Sequence, residues 1–230
     1  EAPLFHPHID TSPGVCTSIL VDRYLEGKHL LWAIAAAFGD NLHSSAHQLA
    51  DSLKLDPKKI IELRELGELI NYNSYGETID DLHFSPETLF LALQPFSEPF
   101  EFYRASGELK QLRAGFRNDM LLTEEKLPLR KTTVGRIYQF PNAAWCRRVS
   151  GVFSNQVARE APDLAHTLLV ERTDGTFLVG VRAPISKPQG AEKLCLKFSG
   201  GGRAAAAGIN HLIPDDVDRF FDAFEKQFAN

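Results

Sequence analysis

The sequence predicts an α/β protein with two domains, and three observations support this prediction. The chain has 230 residues, which is enough for one large hydrophobic core or two smaller ones. Helix signals dominate its first half, whereas strand and helix patterns alternate over the last hundred residues. We therefore place a first domain at 1–130, a connector at 131–145 and a second, smaller α/β domain at 146–230.

The first half carries well-marked helices. Asp56 followed by Pro57 predicts a helix start, and apolar positions then recur at helical spacing over 56–73. A Ser-Pro start predicts a second helix over 85–96, and apolar spacing predicts a long one over 97–121. The stretch 12–27 also has helical spacing. The stretch 29–41 is apolar on every side, which is typical of a fully buried helix or central strand.

The second half alternates between strands and helices. We expect strands over 135–141, 165–173 and 176–184, with Asp174-Gly175 turning the chain between the last two. A helix is expected over 150–162 and another over 190–202, the latter with glycine at its end. The segment 204–212 then leads to an amphipathic helix over 214–228. Its apolar stripe would pack in the core or against a second copy in a homodimer, and its members are Val217, Phe220, Phe221, Phe224 and Phe228.

Composition and charge limit the classes of protein. The chain is 43% hydrophobic and 24% charged, and no apolar run approaches the roughly 20 residues that span a bilayer. Three scattered cysteines form no CxxC pair, which suits a reducing cytoplasm. The net charge is −5, yet residues 146–214 carry nine Lys or Arg and five Asp or Glu. This local balance of +4 favours a confined phosphate site over an extended nucleic-acid surface.

The stretch "FSGGGRAAAAGI" at 198–209 allows two interpretations. Consecutive glycines can end a helix and begin a tight turn, with Arg203 exposed. They can also bring backbone N–H groups close to an anion, and an arginine there adds a planar fork of donors. The stretch matches neither the Walker pattern nor a dinucleotide-binding loop. Arg182 precedes Arg203 by about twenty residues, with a predicted helix between them. Both arginines could therefore bind one ligand.

These C-terminal residues resemble the substrate-binding domain of DHH-type phosphoesterases. The resemblance rests on "TFLVGVRAP…GAEKLCLKFSGGGRAAAAGI" and on "RVSGVFSNQVARE" upstream, and it covers about 146–230. It implies that Arg182, Arg203 and the backbone of Gly200, Gly201 and Gly202 bind substrate. Gly180 stands where the family often has Ser, and Arg203 replaces the usual histidine. Arginine can hold a phosphate but cannot shuttle protons near neutral pH.

The N-terminal part is similar to the second half of the catalytic DHH domain. "FHPHID" resembles the stretch after the Asp-His-His motif, and "LLWAIAAAFGDN" resembles the element that ends in a metal-binding aspartate. The resemblance implies part of a parallel sheet and makes Asp40 a Mn²⁺ or Mg²⁺ ligand. The earlier metal-binding motifs have no counterpart in the sequence, so we expect an N-terminally truncated form that is inactive alone. An aspartate that caps a helix or turn is the other interpretation of Asp40.

Further candidates carry weaker signals. His43 and His47 are spaced to face the same site as Asp40, or to lie on a solvated helix face; His6 and His8 are expected to be structural. Arg147 and Arg148 would extend the positive rim of the predicted phosphate site or form a plain surface pair. No role is assigned to the stretch "LINYNSYGE".

The resemblance implies a metal-dependent phosphoesterase acting on a nucleotide or a short single-stranded oligonucleotide. Family substrates include oligonucleotides, cyclic dinucleotides, 3′-phosphoadenosine phosphates and polyphosphate, and the sequence does not choose among them. Two alternatives stay open. A domain of the same type occurs attached to alanyl-tRNA synthetases, where it is not the catalytic centre, so the chain could be a non-catalytic nucleotide- or nucleic-acid-binding module. It could also be a structural protein whose glycine run is only a turn.

Overall fold

A computed structural model describes residues 6–12 and 14–229. Within these residues the chain forms ten α-helices and six strands, and contacts divide it into two compact units. The first unit comprises the residues up to Ser74 and His83–Gly115; the second comprises Tyr75–Leu82 and the residues from Phe116 onward. None of the described helices is long and apolar enough to cross a membrane.

The first unit is helical throughout its described residues. Its helices are α1 (Thr17–Tyr24), α2 (Leu30–Gly39), α3 (His43–Ser52), α4 (Pro57–Tyr72), α5 (Pro86–Leu93), α6 (Pro99–Ala105) and the first part of α7 (Gly107–Leu121). The predicted starts of α4 and α5 are confirmed, since Asp56 Oδ1 accepts from the Lys59 N–H and Ser85 Oγ accepts from the Thr88 N–H. The partial parallel sheet expected in this domain is not among its described residues.

The structure decides between the two alternatives for one stretch of the first unit and corrects the prediction for another. The apolar stretch 29–41 is the helix α2, which crosses α4 so closely that a Cβ on Gly67 would lie 1.8 Å from the Ala35 carbonyl oxygen. The single helix expected over 97–121 is two helices. The break falls at Ser106, whose backbone is extended and whose Oγ accepts from the Leu109 N–H, so it caps the start of α7.

The second unit contains the mixed sheet that the sequence predicts. The remaining helices are α8 (Ala144–Glu160), α9 (Ala191–Leu196) and α10 (Val217–Phe228). The strands are β1 (Arg130–Lys131), β2 (Gly135–Phe140), β3 (Ala165–Glu171), β4 (Phe177–Arg182), β5 (Gly201–Gly202) and β6 (Ala206–Leu212). The strand order is β1-β2-β3-β4-β6-β5, and β2 and β3 are the parallel pair.

The sheet separates two layers of helices. On one face, Val179, Val181 and Ile209 pack in a core that includes Leu194 of α9 and Phe220 of α10. Phe220, Phe221 and Phe224 are therefore core residues. On the other face, α8 packs through Phe153 against Tyr138 and Phe140 of β2. Side chains alternate between the faces along each strand.

The division of the chain differs from the one expected from the sequence. The contact boundary falls within α7, between residues 115 and 116, and residues 75–82 join the second unit. Residues 131–145 contain β2, which pairs with β3 along its whole length. A strand within a sheet belongs to the domain that the sheet builds, so most of the expected connector is part of the second unit.

Candidate phosphate-binding site

Arg182 lies at the end of β4 and is fixed by α8. Its Nε donates to Asn155 Oδ1 at 2.9 Å, and its Nη1 donates to the Val181 carbonyl oxygen at 3.3 Å. Burial lowers the pKa of the Arg182 guanidinium, the nearby Tyr75 opposes this shift, and the charge of Arg203 adds to it. The group still carries its charge, because arginine is not deprotonated in proteins near neutral pH.

Arg182 forms no ion pair with any carboxylate of the described residues. A charge withdrawn from water is costly unless it is paired with an opposite charge or well hydrogen-bonded. Two neutral acceptors satisfy only part of its five N–H donors. The remaining donors and the uncompensated charge make Arg182 suited to binding an anion.

The glycine run forms a short strand and a tight turn. Three residues after α9, Ser199 lies in the left-handed region at φ 58°, and the Gly200 N–H donates to the Cys195 carbonyl oxygen. Gly201 and Gly202 then pair with Gly208 and Ala207 of β6. Gly201 and Gly202 thus lie in a strand, Gly200 bonds back to α9, and anion binding by the backbone of the run stays a prediction.

Arg203 begins the turn between β5 and β6. Its backbone N–H donates to the Ala206 carbonyl oxygen at 2.8 Å, and the Ala206 N–H donates back at 3.1 Å. Hydrogen-bonded and non-hydrogen-bonded pairs alternate in an antiparallel ladder, so the pair of Gly202 and Ala207 is non-hydrogen-bonded. The Gly202 N–H therefore points to the free edge of the sheet, where a ligand can reach it.

The strand register brings both arginines to one face. Arg182 pairs with Ala206, which pairs in turn with Arg203, so the three side chains lie in one row across β4, β6 and β5. The next row on that face holds three glycines, namely Gly180, Gly208 and Gly201. The two arginine backbones are about two strand spacings apart, roughly 10 Å. We call this surface the arginine–glycine face.

The glycines leave this face flat and partly open. A Cβ on Gly180 would contact only Ser154 Oγ at 3.9 Å, and a Cβ on Gly201 would meet nothing within 4 Å. Helix α8 covers the face over β3 and β4, and Gly201 and Arg203 beyond it are exposed. A planar or anionic group can therefore approach the backbone closely between the two arginines.

Tyr75 lies against α8 close to this site, and the sequence did not indicate it. Its Cζ and Oη lie 3.8 and 3.9 Å from the position that a Cβ on Gly151 of α8 would occupy. Gly151 is one turn of α8 before Asn155, which binds Arg182, and Tyr75 is 41% exposed. No sequence signal links Tyr75 to Arg182, because more than one hundred residues separate them.

Arg147 and Arg148 are neither a positive rim nor a surface pair. Each side chain is only 12% exposed. Arg147 binds the Asp81 carboxylate through two hydrogen bonds of 2.8 and 2.7 Å, and Arg148 binds Asp119 through two of 2.7 and 3.1 Å. Arg148 also donates to the Asp81 carbonyl oxygen. The pair anchors the segment 75–82, including Tyr75, to α8.

Asp40 has no cluster of metal ligands around it among the described residues. It is exposed, follows the last residue of α2, and borders a cavity of about 250 Å³ lined also by Trp32 and Asn71. Among the described residues, no three His, Cys, Asp or Glu side chains are grouped so that they could hold a metal ion. The described residues therefore do not fit the two-metal centre that the resemblance implies.

The histidines near Asp40 have structural contacts. The rings of His43 and His47 pack against Phe38, and His43 also hydrogen-bonds Asn41 Oδ1. His8 packs edge-on against Tyr24, and His6 is exposed. Phe5, the first residue of the "FHPHID" stretch, lies outside the described residues.

The glycines of the run should differ in their tolerance of alanine. A Cβ on Gly200 would lie 2.3 Å from the Gly208 carbonyl oxygen, whereas one on Gly201 would be unobstructed. We expect Gly200→Ala to lower the free energy of unfolding by about 1–3 kcal/mol, the usual cost of overpacking. Gly201→Ala, as the matched control, should be neutral or slightly stabilising. Urea unfolding of both variants checks this, and equal losses would contradict the strand pairing.

Comparisons with known proteins support the fold. No protein-family model matches the chain, and no curated protein sequence is significantly similar. Among solved structures, 21 chains are significantly similar. They include PggH, a pGpG-specific phosphodiesterase from Vibrio cholerae, with a TM-score of 0.50 and 16% identity over 80% of this chain and 73% of that one. At the level of the fold, this similarity confirms the resemblance inferred from the sequence.

Proposed function

We propose that the arginine–glycine face binds a phosphate group of a small nucleotide, and that the chain is a nucleotide phosphoesterase. The observation that carries the proposal is the guanidinium of Arg182, which Asn155 fixes and no carboxylate of the described residues neutralises. Arginine binds phosphate with two parallel hydrogen bonds when its plane is held in place. The pGpG-specific phosphodiesterase of similar fold supports a nucleotide as the ligand.

Each residue of the arginine–glycine face would make a different contact with the ligand. Arg182 would bind the phosphate from the β4 side, and Arg203 would bind it or a second phosphate from the β5 side. Gly180, Gly201 and Gly208 would let the ligand lie against the strands, and the Gly202 N–H offers a donor at the sheet edge. A face with two cations suits a mono- or dinucleotide better than a long nucleic acid, which needs many phosphate contacts.

A second candidate is a nucleotide-binding module without catalysis. It is favoured by the isolation of Asp40, since two-metal hydrolysis needs several carboxylate or histidine ligands and the described residues group no three of them. Catalysis with Mn²⁺ or Mg²⁺ stays a prediction from the resemblance. The two candidates share the binding face and differ only in whether the bound ester is cleaved.

The deciding experiment measures binding and cleavage of pGpG by the same protein. We expect calorimetric binding of pGpG, weakened about 10-fold in Arg203→Gln because one exposed charge-assisted hydrogen bond is lost. Arg159→Gln, an exposed arginine of α8 with no ion pair among the described residues, is the matched control and should bind normally. Equal binding by Arg203→Gln and the native protein would remove Arg203 from the site.

Cleavage is then assayed with Mn²⁺ and with the variant Asp40→Ala. Turnover that Asp40→Ala abolishes would support the phosphoesterase and a metal site at α2. Binding without turnover would support the binding module. If pGpG, a cyclic dinucleotide and a short oligonucleotide all fail to bind, the arginine–glycine face is not a nucleotide site.

A further inference from the structure

A second cationic site lies on the other side of the sheet. It is a groove of about 340 Å³ between the loop after β4, helix α9 and the last turn of α10. Four lysines line it, namely Lys187, Lys193, Lys197 and Lys226. Because α9 and α10 pack on the face of the sheet opposite to α8, this lysine groove is separate from the arginine–glycine face.

The groove is built by close packing of its three walls. Gly190, at φ +104°, adopts a left-handed conformation that favours glycine. A Cβ there would come within 3.1 Å of Gln227 Nε2 and 3.2 Å of the Phe228 ring. Lys197 Nζ donates to Gln227 Oε1 at 3.3 Å, which joins α9 to α10. The glycine thus brings the loop directly against the last turn of α10 and narrows the groove.

The lining of the groove carries an excess of positive charge. Lys193, Lys197 and Lys226 form no ion pair with a described carboxylate, and no Asp or Glu is among the described residues that line the groove. Glu192 and Glu225 are adjacent to lysines in sequence, but neither lines it. Within a chain of net charge −5, four ammonium groups around one groove are a strong local concentration of positive charge.

We propose that the lysine groove binds a triphosphate group, as carried by a nucleoside triphosphate. A triphosphate is compact and carries about as many negative charges as the groove has ammonium groups, and lysine binds phosphate as a point charge without fixed geometry. A groove of this volume is within the range of small-ligand sites. Pro184 and the Phe228 ring supply the apolar lining that a nucleoside could contact.

The test compares two triple variants with the same change in net charge. Calorimetric titrations use inorganic tripolyphosphate and ATP, and are repeated in an Arg182→Gln background so that the arginine–glycine face does not contribute. We expect Lys193→Gln/Lys197→Gln/Lys226→Gln to weaken both ligands at least tenfold. The control Lys58→Gln/Lys110→Gln/Lys131→Gln replaces three exposed lysines elsewhere and should change affinity less than twofold. Thermal unfolding of both variants verifies that they are folded.

The outcomes separate this site from the proposed function. Binding of ATP and tripolyphosphate alike assigns the site to the triphosphate, whereas binding of ATP alone assigns it to a nucleoside triphosphate. The proposal would be overturned if the two triple variants lost affinity equally. It would also be overturned if the native protein bound neither tripolyphosphate nor ATP. Binding of an RNA oligomer without binding of either triphosphate would overturn it too. None of these results bears on pGpG binding at Arg182, which is measured separately.

Discussion

Replacing Arg182 by glutamine is expected to weaken pGpG binding by about 10- to 100-fold, the loss of one charge-assisted hydrogen bond of about 1.5–3 kcal/mol. Glutamine keeps a donor but removes the charge that no described carboxylate balances. Calorimetric titration of Arg182→Gln beside the native protein measures the effect. The exposed Arg159→Gln serves again as the control for the loss of one positive charge from the same unit.

The same variant should leave the fold intact, which distinguishes a ligand-binding arginine from a structural one. Arg182 is half-buried with no anionic partner among the described residues, so removing its charge relieves a cost of folding. We therefore expect the thermal unfolding midpoint of Arg182→Gln to be unchanged or higher. A marked fall in the midpoint together with normal pGpG affinity would show that Arg182 is structural.

Arg147→Met is expected to have the opposite effect and to destabilise the second unit by about 3–5 kcal/mol at neutral pH. Arg147 and Asp81 form a buried pair with two hydrogen bonds, and removing one partner leaves the other charge buried and uncompensated. Urea unfolding measures the loss, and Arg159→Met, which removes an exposed arginine from the same helix, should change little. If Arg147→Met unfolds at the same midpoint urea concentration as the native protein, the anchoring role is contradicted.

The pH dependence of stability follows from the same pair. The hydrogen bonds from Arg147 lower the pKa of Asp81 from its usual 3.8 to about 2, despite burial. Because the folded-state pKa is below the unfolded one, the stabilisation is present above about pH 4 and is lost as the pH falls toward 2. The stability difference between the native protein and Arg147→Met should therefore shrink over this range.

Much of the second unit could be predicted from the sequence because its signals are local. The alternation of apolar residues, the Asp174-Gly175 turn and the stripe of the last helix each depend on neighbours a few residues apart, and β3, β4 and α10 are found where expected. The glycine run was harder to interpret. Its glycines serve both a turn and close strand contact, and only the pairing partners Gly208 and Ala207 distinguish these uses.

Local sequence patterns also selected candidate site residues without showing which of them have distant partners. Arg182 and Arg203 were selected from the order of strand, helix and glycine run, and the register places them in one row. Arg147 and Arg148 were as plausible by charge alone, but Asp81 and Asp119 neutralise them. Those partners are 66 and 29 residues away in sequence, so no local pattern could reveal the pairs.

The sequence by itself determined the α/β class and most helix and strand positions, because periodicity, capping and turn residues act over short distances, and it selected the two arginines as candidates. Tertiary structure alone decided which cations are neutralised, that Tyr75 lies against α8, and that four lysines line one groove behind the sheet. The physical reason is that charge compensation and burial depend on which distant segments pack together. A free arginine and a paired one are identical until the chain has folded.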